Sequence, residues 1–235
     1  DVYLIKTDPG TELQWQKTYG GINNDAAYSV LQTLDGGYLI AGCTSYWCSY
    51  LGEFQDDVYL IKTDTNGNQQ WSKTHPGSAD YCSGDDIGYA AQQTSDGGYI
   101  IAGETQSYGS GNADIYLVKT DPNGKKLWQK AIGDAAQDYA MAVQQTTDDG
   151  FIVAGTTYST DYDMYLAKVC SDGTSSADFN CDGIVYFEDL EVLLGQYLQP
   201  PTFPSADIAP EFGDGIVNGF DFAALANDWL QTTTP

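Results

Sequence analysis

Between residues 178 and 189, oxygen-bearing side chains recur at alternate places: Asp178, Asn180 and Asp182, followed by Asp189 at the end of the stretch. Gly183 stands directly after the third of them, where a loop of this kind needs its sharp turn. Alternate side chains point inward, so three oxygens converge on one point. The Ile184 carbonyl adds a ligand, and Asp189 closes the shell from the start of the next helix. A cage of hard oxygens selects a hard cation, and this spacing suits calcium. Tyr186 occupies a place that often binds through water, so its lack of a carboxylate leaves the cage intact. The competing reading is an ordinary Asx-rich turn. The number of matching places and the apolar helix pattern that follows favour the ion.

A second, less regular copy runs from Asp214 to Asp221, with Ile216 and Asn218 between them at the carbonyl and water-mediated places. Pro210 and Phe212 stand where its first and third ligands belong. An insertion lets Asp207 take the first role, with Glu211 as an extra donor. The competing reading here is a metal-free loop kept for helix packing. Behind the loops, Leu190, Leu193, Leu194 and Tyr197 form one apolar stripe at helical spacing, and Phe222, Leu225, Ala226 and Trp229 form another. The stripes match in phase, which predicts two helices packed about a pseudo-twofold axis. Pro200, Pro201 and Pro204 punctuate the connection.

A duplicated loop carrying only its exiting helix is similar to a dockerin of the diverged bacterial type. The resemblance implies calcium-dependent folding and capture by a cohesin-like domain on a scaffolding or surface protein. It also implies that partner choice lies at Phe187 and Glu188 in the first unit and at Gly219 and Phe220 in the second. These residues differ from the small hydroxyl pairs common in cellulosomal dockerins.

The rest of the chain is built from repeats. DVYLIKTD begins at residues 1 and 57, DIYLVKTD at 114 and DMYLAKVC at 163. Each full unit adds a strand around Trp15, Trp71 or Trp128, reached through turns such as Asp64-Thr65-Asn66-Gly67. Two further strands follow, YSVLQT, YAAQQT or MAVQQT and then GYLIAG, GYIIAG or GFIVAG, joined by a tight D-G-G or D-D-G turn. Four short antiparallel strands per unit is the arithmetic of a β-propeller blade. The Q-T-x-D-G-G-[YF]-I-x-A-G pattern resembles secreted bacterial and archaeal propeller repeats over residues 1 to 170. The expectation is a mainly β chain: a partial β-propeller of four-stranded antiparallel blades, about three of them, then a small α-helical dockerin-like domain. Residues 1–170 are expected to form the repeats, 171–177 a linker and 178–235 the calcium-binding domain. Residues 1 to 18 supply only the last two strands of a blade, and 163 to 170 supply a third strand with no fourth. The count predicts either further blades upstream or a ring completed by another chain.

Nine basic residues, all lysine, against 33 acidic ones give a net charge of −24, which argues against nucleic acid or anionic lipid as partner. Seven lysines sit at recurring places in the repeat and read as scaffold, and none follows Lys168. No run is apolar enough to span a bilayer, and the chain starts without Met or a signal peptide, so its true start is expected to be missing. Five cysteines with no C-x-x-C pair and a single histidine point to disulfides in an oxidising compartment, hence to a secreted or cell-surface protein. The favoured pairs are Cys170 with Cys181 and Cys48 with Cys82. Cys43 with Cys48 is the rival.

Three other features invite chemistry. Asp25, Asp86 and Asp138 recur at one rim and suit either a ring for a cation or sugar or, on the plainer reading, caps for their own turns. His75 lacks a triad partner and is expected at the surface. Tyr46, Trp47, Tyr50 and Phe54 crowd one inserted loop, suited to stacking on carbohydrate or to disulfide-tied packing. The expected function is a non-enzymatic binding or structural module held to an extracellular partner by its calcium-binding domain. The alternatives are a polysaccharide-degrading glycoside hydrolase and a self-assembling surface protein joined through open blade edges.

Overall fold

The computed structural model describes residues 1–78, 82–109, 112–133, 135–158 and 162–173. Among these the chain forms thirteen strands and no helix. In order they are β1 (Val2–Thr7), β2 (Leu13–Tyr19), β3 (Asp25–Gln32), β4 (Tyr38–Cys48), β5 (Glu53–Thr63), β6 (Gln69–His75) and β7 (Asp86–Gln93). There follow β8 (Tyr99–Thr105), β9 (Asp114–Thr120), β10 (Lys126–Ile132), β11 (Gln137–Gln145), β12 (Phe151–Tyr158) and β13 (Tyr162–Val169). They build four antiparallel sheets: β1-β2, β3-β4-β5-β6, β7-β8-β9-β10 and β11-β12-β13. The expected β class and the strand count of each unit are therefore observed. The helical domain expected over residues 178–235 lies outside the described residues. Two compact units divide the chain, Asp1–Thr146 with Ile152–Ala167, and Thr147–Phe151 with Lys168–Pro235.

Position within each sheet explains the strand sequences. The middle strands β8 (YIIAGET) and β9 (DIYLVKT) are buried along their whole length, which suits near-continuous apolar runs. The outer strands β2, β6 and β10 carry the polar W-x-K segments and stay partly exposed. Leu39, Ala41, Val58 and Leu60 of the second sheet meet Tyr99, Ile101, Tyr116 and Val118 of the third in one core. Val2 and Tyr19 of the first sheet pack on Ile40 and Ile61 of the second. The tryptophans join these layers: Trp15 meets Tyr38 at 5.7 Å and Trp71 meets Tyr99 at 6.1 Å between ring centroids. At the opposite edge, β3 contacts β7 and β7 contacts β11.

Three of the recurring lysines have a scaffold role. Lys62 reaches from β5 to Asp35 in the β3-β4 turn at 2.8 Å, Lys119 from β9 to Asp96 at 2.7 Å, and Lys168 from β13 to Asp148 at 2.6 Å. Lys62 is buried and also donates to the Thr63 carbonyl and to Gln70. The hydrogen bond from Lys62, with help from Thr33, holds the Asp35 carboxyl at about 2. Burial pushes Asp96 up, but bonds from Lys119 and Thr94 outweigh it and leave this carboxyl also at about 2.

These turns also fix the glycines. Gly36 and Gly97 adopt φ of 82° and 81°, in the left-handed region, and the equivalent place in the third copy is Asp149 at φ 61°. A Cβ on Gly42, Gly103 or Gly155 would lie 1.9, 1.7 or 1.8 Å from the carbonyl oxygen of Ala26, Ile87 or Tyr139 on the adjoining strand. In the first two sheets the ladder shifts register beside this contact, between Ala27 and Ser29 and between Gly88 and Ala90.

Candidate functional site

The calcium ligands named above, from Asp178 to Asp221, lie outside the described residues, as do Phe187, Glu188, Gly219 and Phe220. Among the described residues, no group of three or more His, Cys, Asp or Glu is placed to hold a metal ion.

Two of the recurring rim acids, Asp25 and Asp86, act as the plainer reading has it. Asp25 accepts a hydrogen bond from the Gly21 amide at 3.2 Å, and Asp86 accepts one from the Gly77 amide at 2.6 Å. Each carboxylate thus closes the loop that leads into its own sheet. The Ser107 hydroxyl also donates to both oxygens of Asp86, at 2.9 and 2.7 Å. Asp138 is buried, and its own amide donates to the Ala113 carbonyl at 2.9 Å.

Close to Asp86 stands Asp57, the first residue of the second DVYLIKTD copy. It is 6% exposed. Burial, then the negative charges of Asp86, Asp56 and Asp85, push its carboxyl up to about 7, and Lys126 offsets part of the rise. Burial also raises Asp86, against bonds from Thr105, Gly77 and Ser107. Lys126 is lowered by burial and supported by both carboxyls. Its ammonium donates to the Pro76 carbonyl at 3.2 Å, where the Tyr116 hydroxyl also donates at 3.0 Å.

His75 departs from expectation. It is buried rather than at the surface, because β6 ends beneath the next sheet's β9-β10 turn and the ring bonds the Gly124 backbone. Its Nε2 has no hydrogen-bond partner among the described residues. Burial first, then Lys126 and Lys73, lower it to about 4, so it is neutral near pH 7.

The favoured Cys48–Cys82 disulfide is present, and the rival Cys43–Cys48 pairing is not. Cys43 is free and buried, with its thiol pushed up to about 12 by burial and by Asp56. Cys170 is disulfide-bonded to a partner outside the described residues. The disulfide anchors a hairpin, since β4 and β5 stay paired as far as Cys48↔Glu53. Tyr46, Trp47 and Phe54 therefore lie on strands rather than in the expected loop. Trp47 and Phe54 face each other across the ladder at 5.1 Å between ring centroids, and both are more than half exposed. The Tyr46 hydroxyl accepts from the Cys82 amide at 3.2 Å, so disulfide-tied packing accounts for Tyr46.

From this hairpin a chain of contacts, through the buried Cys43 to the buried Glu104, runs on toward the third sheet. Asp56 stands two residues beyond Phe54, on the same face of β5, and accepts bonds from the Ser45 hydroxyl and, at 3.6 Å, from the Cys43 thiol. Cys43 bonds Tyr28, whose ring meets that of Tyr89 edge-on at 5.2 Å between centroids. The Tyr89 hydroxyl donates to Glu104 at 2.8 Å. Burial raises the Glu104 carboxyl and Asp85 and Asp86 raise it further, while the Tyr89 bond lowers it. Sequence reasoning missed Asp57, Glu104, Tyr28 and Tyr89. The available signals were the doublets Asp56-Asp57 and Asp85-Asp86, and the change from Cys43 to Glu104 at one place of otherwise similar repeats.

Clefts also recur between consecutive sheets. One of about 530 Å³ is lined by Asp35, Lys62, Trp71 and Gln93, and one of about 210 Å³ by Lys6, Trp15, Gln32 and Tyr38. Lys62 and Asp35 are already bonded to each other within one sheet, and Gln93 accepts from the Leu34 amide of the neighbouring sheet at 2.8 Å, so these groups are committed to the fold. No protein-family model matches this chain, and no curated protein matches it.

Proposed function

We propose that the chain is a secreted, non-enzymatic binding module, part of a β-propeller, attached to an extracellular partner through a calcium-dependent, dockerin-like C-terminal domain. The observation that carries the propeller half is recurrence. The same four-stranded unit returns with the same lysine–aspartate pair, consecutive sheets pack on each other, and one edge strand of each, β3, β7 and β11, touches the next. Secretion is supported by the Cys48–Cys82 disulfide, a bond that persists in oxidising compartments. No helix among the described residues is long and apolar enough to cross a membrane. The attachment half rests on the ligand spacing from Asp178 to Asp189 and its partial copy. A cohesin-like domain is the partner that resemblance implies.

Calorimetric titration of calcium into the metal-free chain, with far-ultraviolet circular dichroism alongside, tests the attachment reading. One or two bound ions with a gain of helix are expected. Absence of both would remove the calcium-dependent module.

A second reading, hydrolysis of glycosidic bonds, has one observation in its favour. Asp57 is a carboxyl raised to about 7 and close to a second, Asp86, as an acid–base pair would be. Both are buried and Asp86 is bonded within its loop, so the non-enzymatic reading is preferred. Release of reducing ends from a polysaccharide panel, abolished by Asp57→Asn, would reverse that preference.

A further inference from the structure

We infer that the outer faces of β1 and β13 are the two halves of one contact, through which a second copy of this chain docks head to tail, sheet on sheet. The inference rests on the propeller reading of the repeats and names what extends them. It does not involve the calcium-binding domain.

The four copies of the DVYLIKTD strand carry the argument. In β5 and β9 both sides of the strand are covered: Val58, Leu60 and Ile61 are buried and Tyr59 partly so, and Ile115 to Val118 are all buried. In β1 only one side is covered. Val2 is buried and Leu4 partly buried, whereas Tyr3 and Ile5 are 56% and 51% exposed. In β13 the sides exchange. Tyr165 and Ala167 are partly buried, whereas Met164 and Leu166, at the places of Val2 and Leu4, are 83% and 42% exposed. The face left open on β1 is thus the one covered on β13, and the reverse.

The interior shows what each open face fits. Val58 and Leu60, at the second and fourth places of the motif, pack with Tyr116 and Val118, at the third and fifth places in the next sheet. Val2 and Leu4 pack in the same way with Tyr59 and Ile61. By this rule the Met164–Leu166 face calls for a tyrosine and an aliphatic residue two places on, and Tyr3 with Ile5 is that pair. The Tyr3 side chain is also held ready. Its hydroxyl donates to Gln16 at 2.7 Å, as the buried Tyr116 donates to Gln129 at 3.0 Å, so little freedom is lost when the ring is covered. Because the two faces are unlike, the contact is heterologous, and copies add in one direction rather than pair about a twofold axis. All four exposed side chains are uncharged, so the net charge of −24 opposes the contact only at long range, where salt screens it.

Sedimentation velocity of the whole chain in about 0.2 M sodium chloride, over about 5 to about 300 µM protein, tests the proposal. The average mass should rise with concentration, in calcium and in excess chelator alike. Ile5→Lys and Met164→Lys should each weaken association at least about ten-fold, because each puts an ammonium into an apolar contact. Lysine reduces the net negative charge, so the loss cannot be assigned to repulsion. Leu34→Lys, in the exposed β3-β4 turn and on neither face, should leave association within about two-fold. An equimolar mixture of Ile5→Lys and Met164→Lys should form pairs and nothing larger, since each variant keeps one intact face.

Loss of association in one of these two variants but not the other would mean a contact between like faces and overturn the proposal. Association that requires calcium would overturn it in favour of the C-terminal domain. A natural chain that stays monomeric overturns it as well. If the monomer's Tm falls with Met164→Lys, the chain covers that face itself, and if Tm ignores both substitutions, the faces serve a partner of another kind. A monomer with an intact β-sheet circular dichroism spectrum sinks this contact alone, whereas loss of that spectrum sinks the repeat reading with it.

Discussion

Asp57 and His75 put opposite slopes into the pH dependence of stability. For Asp57 the folded value, about 7, lies above the ordinary carboxyl value of 3.8, so the folded state holds a proton that the unfolded chain releases. Its contribution is complete below about 4 and is lost as pH rises toward 7. For His75 the folded value of about 4 lies below the ordinary imidazole value of 6.5, so its contribution is complete above about 6.5 and is lost as pH falls toward 4. Asp57→Asn removes the first slope and leaves the second. The variant's gain in Tm over the natural chain is expected to be small at pH 4, to grow through pH 7 and to level off above it. A gain independent of pH would show that Asp57 is not protonated by burial. None of this was legible in the residue types. Asp57 heads the same DVYLIKTD motif as Asp1, and only the approach of Asp86, Asp56 and Asp85 sets it apart. His75 misled for a related reason, since a His-Pro-Gly triplet looks like exposed loop until a turn of the next sheet covers it.

At the scale of the element, the strands and turns were largely written in the sequence, because a twofold alternation and a fixed D-G-G turn repeat with little variation. Their causes were not. The A-G pair in GYLIAG and GYIIAG reads as ordinary strand ending, yet Gly42 and Gly103 are required where a neighbouring carbonyl leaves no room for a Cβ. The extension of β4 and β5 was read as a loop because its turn residues and its aromatics are mixed together. Asp149 is the informative exception among the turns, an aspartate at φ 61° where the other two copies have glycine. Replacing it by glycine relieves the steric cost of the left-handed conformation, against a greater loss of chain freedom on folding. Asp149→Gly is expected to stabilise the chain by about 0.5–1 kcal/mol. Equilibrium urea unfolding checks it, and a loss of stability would mean that the Asp149 side chain has a role that outweighs its strain.

At the scale of the whole molecule, a net charge of −24 sets long-range repulsion against the cohesion of the sheets. Raising sodium chloride from about 0.02 to about 0.2 M screens that repulsion and should raise Tm in the metal-free protein. If the acids are already neutralised locally, Tm will stay flat. Composition gave this charge but not its arrangement, because pairs such as Lys62 with Asp35 join residues far apart in sequence and become visible only when the turn is folded back on its sheet.

Those pairs bear on how such a chain lengthens. Lys62 and Asp35 belong to one sheet, as do Lys119 and Asp96, so each lysine answers an acid from its own sheet. Duplicating a whole repeat therefore copies both halves of the pair at once and strands neither charge in a buried place. A gene can add or drop such a unit in one step without a compensating substitution elsewhere.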